Sequence, residues 1–258
     1  MCTILLAWRS LPAAPIVVAA NRDELIGRPS RRPGVLREDP LILGGQDLQA
    51  GGTWLAVSAD GRIAAVTNRW TSPTGGAIRD PSRRSRGEIP VAALTGGDED
   101  ALPDFLAGLG PGVYNPVNVL YVSPLRAFVA HVDDSGPPRV KELEAGAHVL
   151  TVVDVDDPAR PKVRALNDAM GRALESARDG DALADSLRRV LARHETPTGD
   201  ALDAPCIHGD VYGTVSSSSV VIAGGDIDYR HADGRPCVTP FDVVRSPSGS
   251  GGRSPAPG

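Results

Sequence analysis

The 258-residue chain carries 27 basic and 32 acidic side chains, a formal net charge of −5, with 41% apolar and 4% aromatic residues. That balance shows no basic face of the kind nucleic-acid binding requires, and the length fits one large domain or two small ones, with a core packed by Val, Leu, Ile and Ala. Three cysteines (Cys2, Cys206 and Cys237), an odd number with no C-x-x-C pair, argue against a disulfide framework and a structural zinc site.

In chain order, Thr3 to Ala7 and Ile16 to Ala20 are short apolar runs separated by a Pro-containing turn, which predicts a hairpin starting at the second residue. The first twenty residues lack a basic leader, and Arg9, Pro12 and Pro15 interrupt their apolar stretch. No run reaches the roughly 18 apolar residues of a membrane span, so a soluble, cytoplasmic protein is expected. Arg28 to Pro40, rich in Pro and Arg, reads as a loop. Thr53 to Ser58 and Arg62 to Thr67 flank Asp60-Gly61, a strong hairpin signal. Thr71 to Arg86 reads as a mobile loop, and its cluster Arg79, Arg83, Arg84 and Arg86 as solvated charge before a helix.

Two short helices are expected near Glu88 to Leu94 and Glu99 to Leu109, then a hairpin from Val117 to Val122 and Arg126 to His131, and a strand from Ala147 to Val153. Leu166, Met170, Leu174 and Ala177 recur at helical spacing, as do Leu183, Leu187, Val190 and Leu191 beyond the break at Asp179-Gly180-Asp181. Ser218 to Ile222 and Ile227 to His231 flank Gly224-Gly225 as a last hairpin. The stretch 246–258 is Ser, Gly, Pro, Arg and Ala and is expected to be a disordered tail, leaving one domain over 1–245. Hairpins at both ends with helices between them indicate an α+β fold of antiparallel sheets covered by helices. The pattern alone leaves open whether there is one sheet or two.

Cys2 is the sharpest chemical feature. Removal of the initiator methionine would place a thiol and an α-amine on one residue, and that amine, with an ordinary pKa of about 7.7 to 8, can accept the thiol proton. The alternative is a small residue at a strand start. Asn21-Arg22-Asp23-Glu24 follows the second strand, and antiparallel pairing returns it toward Cys2. Asp23 could orient the amine, and Arg22 could hold a carboxylate by its planar fork. Thr67-Asn68-Arg69 ends the Asp-Gly hairpin, where the Asn68 amide could donate to an oxyanion. A lone Cys206-x-His208 pair is a weak ligand signature and is set aside.

MCTILLAW, the Asn21–Glu24 run, GGTWLAVSADGRIAAVTNRW at Gly51 to Trp70, SRGEIP at Ser85 to Pro90, YNPVNVLYV at Tyr114 to Val122 and YGT at Tyr212 to Thr214 occur in that order. The combination strongly resembles the NRDE family, also called the transport-and-Golgi-organization 2 family, up to about Val244. That family is similar to penicillin V acylases and bile salt hydrolases among the N-terminal-nucleophile hydrolases. The resemblance implies a four-layer αββα sandwich and hydrolysis or acyl transfer on a small amide or acyl substrate. It assigns Cys2, Arg22, Asp23 and Asn68 to catalysis; Asn21, Trp54 and Arg69 are expected to bind substrate, and no metal or cofactor is expected. Two departures stand out: Leu150-Thr151-Val152-Val153 lacks the family's strand-end Asn, and Val215 replaces the Arg after Tyr212-Gly213-Thr214. Because family members are linked to haem trafficking and to lipid or Golgi homeostasis, a non-catalytic haem- or lipid-binding protein is the alternative, with Cys2, His131 and His208 as conceivable haem ligands.

Overall fold

The computed structural model describes residues 2–72, 79–96 and 98–245. Met1 and the expected tail at 246–258 lie outside them. The chain opens with β1 (Cys2–Leu11) and β2 (Ala14–Leu25), a hairpin longer than its apolar runs suggest. β3 (Ser30–Arg37) corrects the loop expected there. It is an edge strand with an irregular register around Pro33, where a missing N–H removes little pairing, and its exposed residues hid it from a hydrophobicity reading. β4 (Ile42–Asp47), β5 (Leu55–Ser58) and β6 (Ile63–Asn68) complete the meander.

A 3-10 turn (Arg86–Glu88) leads into α1 (Ile89–Thr95) and α2 (Leu102–Ala107). β7 (Val117–Val122), β8 (Ala127–Val132), the unexpected β9 (Arg139–Glu142) and β10 (Gly146–Leu150) follow, the last ending three residues short of its expected span. α3 (Pro161–Ser176) begins with Pro in the first turn, where its missing N–H costs nothing. α4 (Gly180–Leu191) is capped by Asp179, whose carboxylate accepts from the Ala182 N–H at 2.8 Å, and carries Arg188 and Arg189 at its negative end. β11 (Tyr212–Ala223) and β12 (Asp226–Ala232) turn through Gly224 and Gly225, both at positive φ, and β13 (Asp242–Val243) closes the chain.

Pairing makes two antiparallel sheets, β10-β1-β2-β11-β12-β13 and β3-β4-β5-β6-β7-β8-β9. Period-two alternation gives every central strand two apolar faces. Ile4, Leu6, Ile16, Val18, Leu55, Ile63, Leu120 and Val220 fill the space between the sheets. Leu5, Val17 and Ala19 turn the other way, against Leu166, Met170, Leu183 and Leu187 of α3 and α4. Ala56, Ala64, Val119 and Tyr121 likewise back onto Ile89, Leu94, Leu102 and Leu106. The result is the four-layer αββα sandwich. Among the described residues no helix is long and apolar enough to cross a membrane.

Leu187 is fully buried at the centre of the outer helical layer. Leu187→Ala should cost about 2–5 kcal/mol, as buried Leu truncations do. Urea unfolding would show this as a lower midpoint at unchanged slope; an unshifted midpoint would contradict the layer assignment.

Candidate functional site

In the β1–β2 register Cys2 stands opposite Arg22 and Thr3 opposite Asn21. Directly opposed residues in an antiparallel pair share a face, so Cys2 and Arg22 both look toward the second sheet, in line with Ile4 and Ala20. The Arg22 guanidinium lies 4.5 Å over the Trp54 ring and is 4% exposed. Its Nη1 and Nη2 are buried without a hydrogen-bond partner among the described residues. A buried cation held only by a ring face retains most of its donor capacity.

Cys2, Arg22, Asp23, Trp54, Asn68 and Arg69 all line one cavity of about 310 Å3. Cys2 also lines a second cavity of about 260 Å3 with Thr151, Val152, Lys162 and Trp70. Burial pushes the Cys2 thiol up and the Asp23 charge adds to this, against the opposing pull of the terminal amine, Arg22 and the Asp23 backbone N–H. Asp23, 1% exposed, is also pushed up by burial, with Lys162 and a hydrogen bond from Thr214 acting the other way. The Thr214 hydroxyl donates to Asp23 Oδ1 at 2.6 Å and accepts the Ile207 N–H at 2.9 Å.

Of the residues expected at the site, Asn21 does not line the cavity. Alternation along β2 sends its side chain the opposite way from Arg22. Its amide donates to the carbonyls of Leu191 and Pro205 at 2.9 and 2.8 Å, tying the end of α4 and the chain before β11 to the sheet. Arg69 lines the cavity, but its guanidinium is engaged by Asp133 at 2.9 Å and Asp154 at 2.7 Å. Thr151 accepts from Thr67 and Asn118 through its carbonyl, and the carbonyl of Val152, where the strand-end Asn motif departs, accepts from Trp70.

Three members of the cluster expected to be solvated also stand at the cavity wall, Arg79 and Arg84 exposed and Arg86 half-buried. Arg79, Arg84 and Arg86 line it together with Arg22, Arg28 and Arg69, against Asp23, Glu24 and Asp47. Glycine explains the approach. A Cβ on Gly52, at φ 76°, would come within 2.3 Å of the Gly87 carbonyl group, and that carbonyl accepts the Thr53 N–H at 2.8 Å. The backbone contact between the Gly51-Gly52-Thr53 turn and Gly87 lays Arg86 along the cavity. Asp80 and Asn115 exchange two hydrogen bonds at 2.8 Å, and Arg83 pairs with Asp134 at 2.8 Å, which ties residues 80 and 83 of this segment to the chain around β7 and β8. Arg28 is paired with Asp47 and Arg84 with Glu88. Among the described residues neither Arg22 nor Arg86 forms an ion pair.

Lys162 was not legible as a site residue. Its ammonium donates to the Ala204 carbonyl at 3.0 Å and faces Asp23 and Cys2 electrostatically, its pKa lowered by burial. The one available signal is a cation at a helix start, where the helix dipole disfavours it. Cys206-x-His208 is not a lone pair either, since the fold brings it together with His194 and Cys237.

The model of the family described as Transport and Golgi organisation 2 matches residues 1–229. A mouse Transport and Golgi organization 2 homolog is 30% identical over 169 residues, which cover 61% of this chain and 59% of the mouse protein, less than two thirds of its length. A bovine homolog is 27% identical over 261 residues, covering 89% of this chain and 91% of that protein. Among solved structures, a Caenorhabditis elegans ortholog of N-acylethanolamine-hydrolyzing acid amidase superposes with a TM-score of 0.55 at 13% identity, covering 85% of this chain and 92% of that one. The C2A mutant of conjugated bile acid hydrolase from Clostridium perfringens gives 0.53 at 10% identity, covering 95% and 97%. Penicillin V acylase from Agrobacterium tumefaciens gives 0.53 at 8%, covering 92% and 93%. At these identities the structural likeness establishes the N-terminal-nucleophile hydrolase fold.

A buried carboxyl with a raised pKa binds its proton more tightly folded than unfolded, so stability falls as pH rises from about 3.9, the ordinary value, through the raised one. Thr214→Val removes a bond that lowers the Asp23 pKa, so it should extend that fall to higher pH and cost about 1–3 kcal/mol near neutrality. Urea midpoints across a pH series, with Asp23→Asn as reference, measure both. Identical profiles for Thr214→Val and the parent would sink the assignment.

Proposed function

Because the chain belongs to the Transport and Golgi organisation 2 family, and its fold is that of the N-terminal-nucleophile hydrolases, we propose that it is a cysteine amidohydrolase or acyltransferase acting on a small amide or acyl compound with an anionic group. The observation that carries the reading is Cys2 opposite Arg22, on the boundary between two cavities. Removal of Met1 frees the Cys2 α-amine next to Asp23. Burial raises the thiol pKa, so an internal base is needed, and the freed amine supplies it.

In this mechanism the amine takes the thiol proton while sulfur bonds to the substrate carbonyl carbon. Asn68 and backbone N–H groups receive the oxyanion. Collapse breaks the carbon–nitrogen bond, and the proton passes from the α-ammonium to the leaving amine. Water, or an acceptor nucleophile in the transferase case, then cleaves the thioester and restores the thiol. With Val152 where the family motif carries Asn, one oxyanion donor is missing. Such a loss lowers turnover by roughly a hundred- to a thousandfold, so a slow enzyme is expected.

The anionic preference rests on Arg22 and Arg86, buried or half-buried cations aimed at one cavity without carboxylate partners. The haem-binding alternative draws less support, because of its three conceivable ligands only Cys2 lines either cavity. His131 is buried against Asn118 at 2.8 Å, and His208 lies beside Cys206 and Cys237.

Intact mass should show a chain lacking Met1, and Cys2→Ala should abolish turnover in a panel of N-acyl amides with and without a carboxylate. Arg86→Ala should weaken only the carboxylate-bearing amides, by about 10- to 100-fold in kcat/KM, the worth of one charge-assisted hydrogen bond. Turnover that survives Cys2→Ala, or an active protein that keeps Met1, removes the mechanism. Equal losses for charged and neutral amides remove the anionic preference alone.

A further inference from the structure

We propose that His194, Cys206, His208 and Cys237 form a tetrahedral binding site for a thiophilic divalent cation, zinc above all. The four residues come from three stretches on two loops, those between α4 and β11 and between β12 and β13. His194 follows α4, Cys206-Ile207-His208 runs into β11, and Cys237 sits in the turn after β12, where the Val238 and Thr239 N–H groups both donate to the Arg235 carbonyl. One candidate ligand atom from each residue lies within 4.8 Å of all the others.

The closest distances match a coordination polyhedron. Cys206 Sγ is 3.7 Å from Cys237 Sγ and 3.6 Å from His208 Nε2, and His208 Nε2 is 3.3 Å from Cys237 Sγ. With Zn–S near 2.3 Å and Zn–N near 2.0 Å, tetrahedral edges are about 3.8 Å between sulfurs and about 3.5 Å between sulfur and nitrogen. The His194 and His208 rings meet edge to face with centroids 4.5 Å apart, so the fourth ligand is already at the site. Hydrogen bonds between thiols and imidazole alone would be weak compensation for converging four such groups; a cation gives them a common partner. Binding expels one proton from each thiol, and the two thiolates neutralise the two positive charges of the ion.

The second layer is in place. The Cys206 N–H donates to the carbonyl of Arg193, adjacent to His194, at 2.9 Å, and Arg235 donates to the Gly209 carbonyl at 3.1 Å. These bonds link the three ligand-bearing stretches to one another, as outer-sphere contacts in metal sites do. Ile207, between two of the ligands, exchanges hydrogen bonds with Thr214, whose hydroxyl holds Asp23. The metal would therefore clamp the segment that positions Asp23, a structural role independent of the reaction assigned to Cys2.

The test uses the full chain purified with reductant and without chelator. Elemental analysis should find about one zinc per chain, the stoichiometry of a single closed site. Cobalt(II) added to metal-free protein should give the intense visible bands of a tetrahedral ion and a thiolate charge-transfer band, and zinc should raise the Tm. Cys237→Ser and His208→Ala should lose the spectrum and the Tm rise. His194→Ala, at an exposed position, should fold and bind at least about tenfold more weakly. Cys2→Ala should leave the cobalt spectrum intact, separating this site from the nucleophile. Metal-free protein with three titratable thiols that takes up neither ion stoichiometrically would overturn the proposal, as would a Cys206–Cys237 disulfide under reducing conditions.

Discussion

The architecture of the site depends on one constraint: β2 is buried on both faces along nearly its whole length, yet it ends in polar residues that remain inside. Asn21, Arg22 and Asp23 are 1%, 4% and 1% exposed. Unpaired buried polar groups are costly, so each must find its interactions nearby. Asn21 does so by gripping two carbonyls that would otherwise be orphaned at the end of α4 and before β11. Asp23 does so through Thr214 and the field of Lys162. Arg22 has a ring face and no hydrogen bond to either terminal nitrogen among the described residues. Its position is the least satisfied of the three, and it is the one opposite Cys2.

Polar burial of this kind organises the rest of the molecule. The long loop between α4 and β11 is not held by an apolar stripe. It is attached at Asn21, Lys162, Thr214 and the cysteine–histidine cluster, all of which act on backbone groups or on one another. On the other side of the cavity, the glycine contact at Gly52 and Gly87 replaces side-chain packing with backbone approach. The two walls are thus fixed by different physics, and each carries its charged groups as a consequence of where the backbone is anchored.

Much of this was legible in the residues. Alternating apolar runs and the Asp-Gly and Gly-Gly turns marked the central hairpins, because burial on one or both faces leaves a period-two record. β3 and β9 were missed for the same reason: they are edge strands with exposed side chains, held by pairing and not by burial. Cys2 and Arg22 could be brought together on paper because a hairpin register is local. Asn21 was misplaced because adjacency in sequence means opposite faces in a strand. Arg86, Lys162 and the four metal-ligand candidates lie in segments whose positions depend on contacts tens of residues away, and no spacing rule reaches them. His194, Cys206, His208 and Cys237 have none of the short repeats that make zinc motifs readable.

The departures from the family pattern acquire meaning once the cavity is seen as a charged volume. Val152, beside Cys2 in the second cavity, and Val215 stand where the family pattern has a donor amide and a cation, yet Arg22, Arg79 and Arg86 keep the first cavity cationic. A thiol whose pKa is raised by burial is poor as a standing thiolate, and the positive charges nearby, the terminal amine and Arg22, only partly offset the desolvation and the Asp23 charge. In the proposed mechanism such a site would favour a neutral thiol that ionises during attack, with the negative charge passing from sulfur to the substrate oxygen under a field already in place. Under the proposed reaction, substrate charge would matter twice: it would select what enters beside Arg22 and Arg86, and by neutralising them it would change the field felt at sulfur. A carboxylate placed at that end of the cavity would raise the thiol pKa further, which makes a base on the same residue as the nucleophile more necessary.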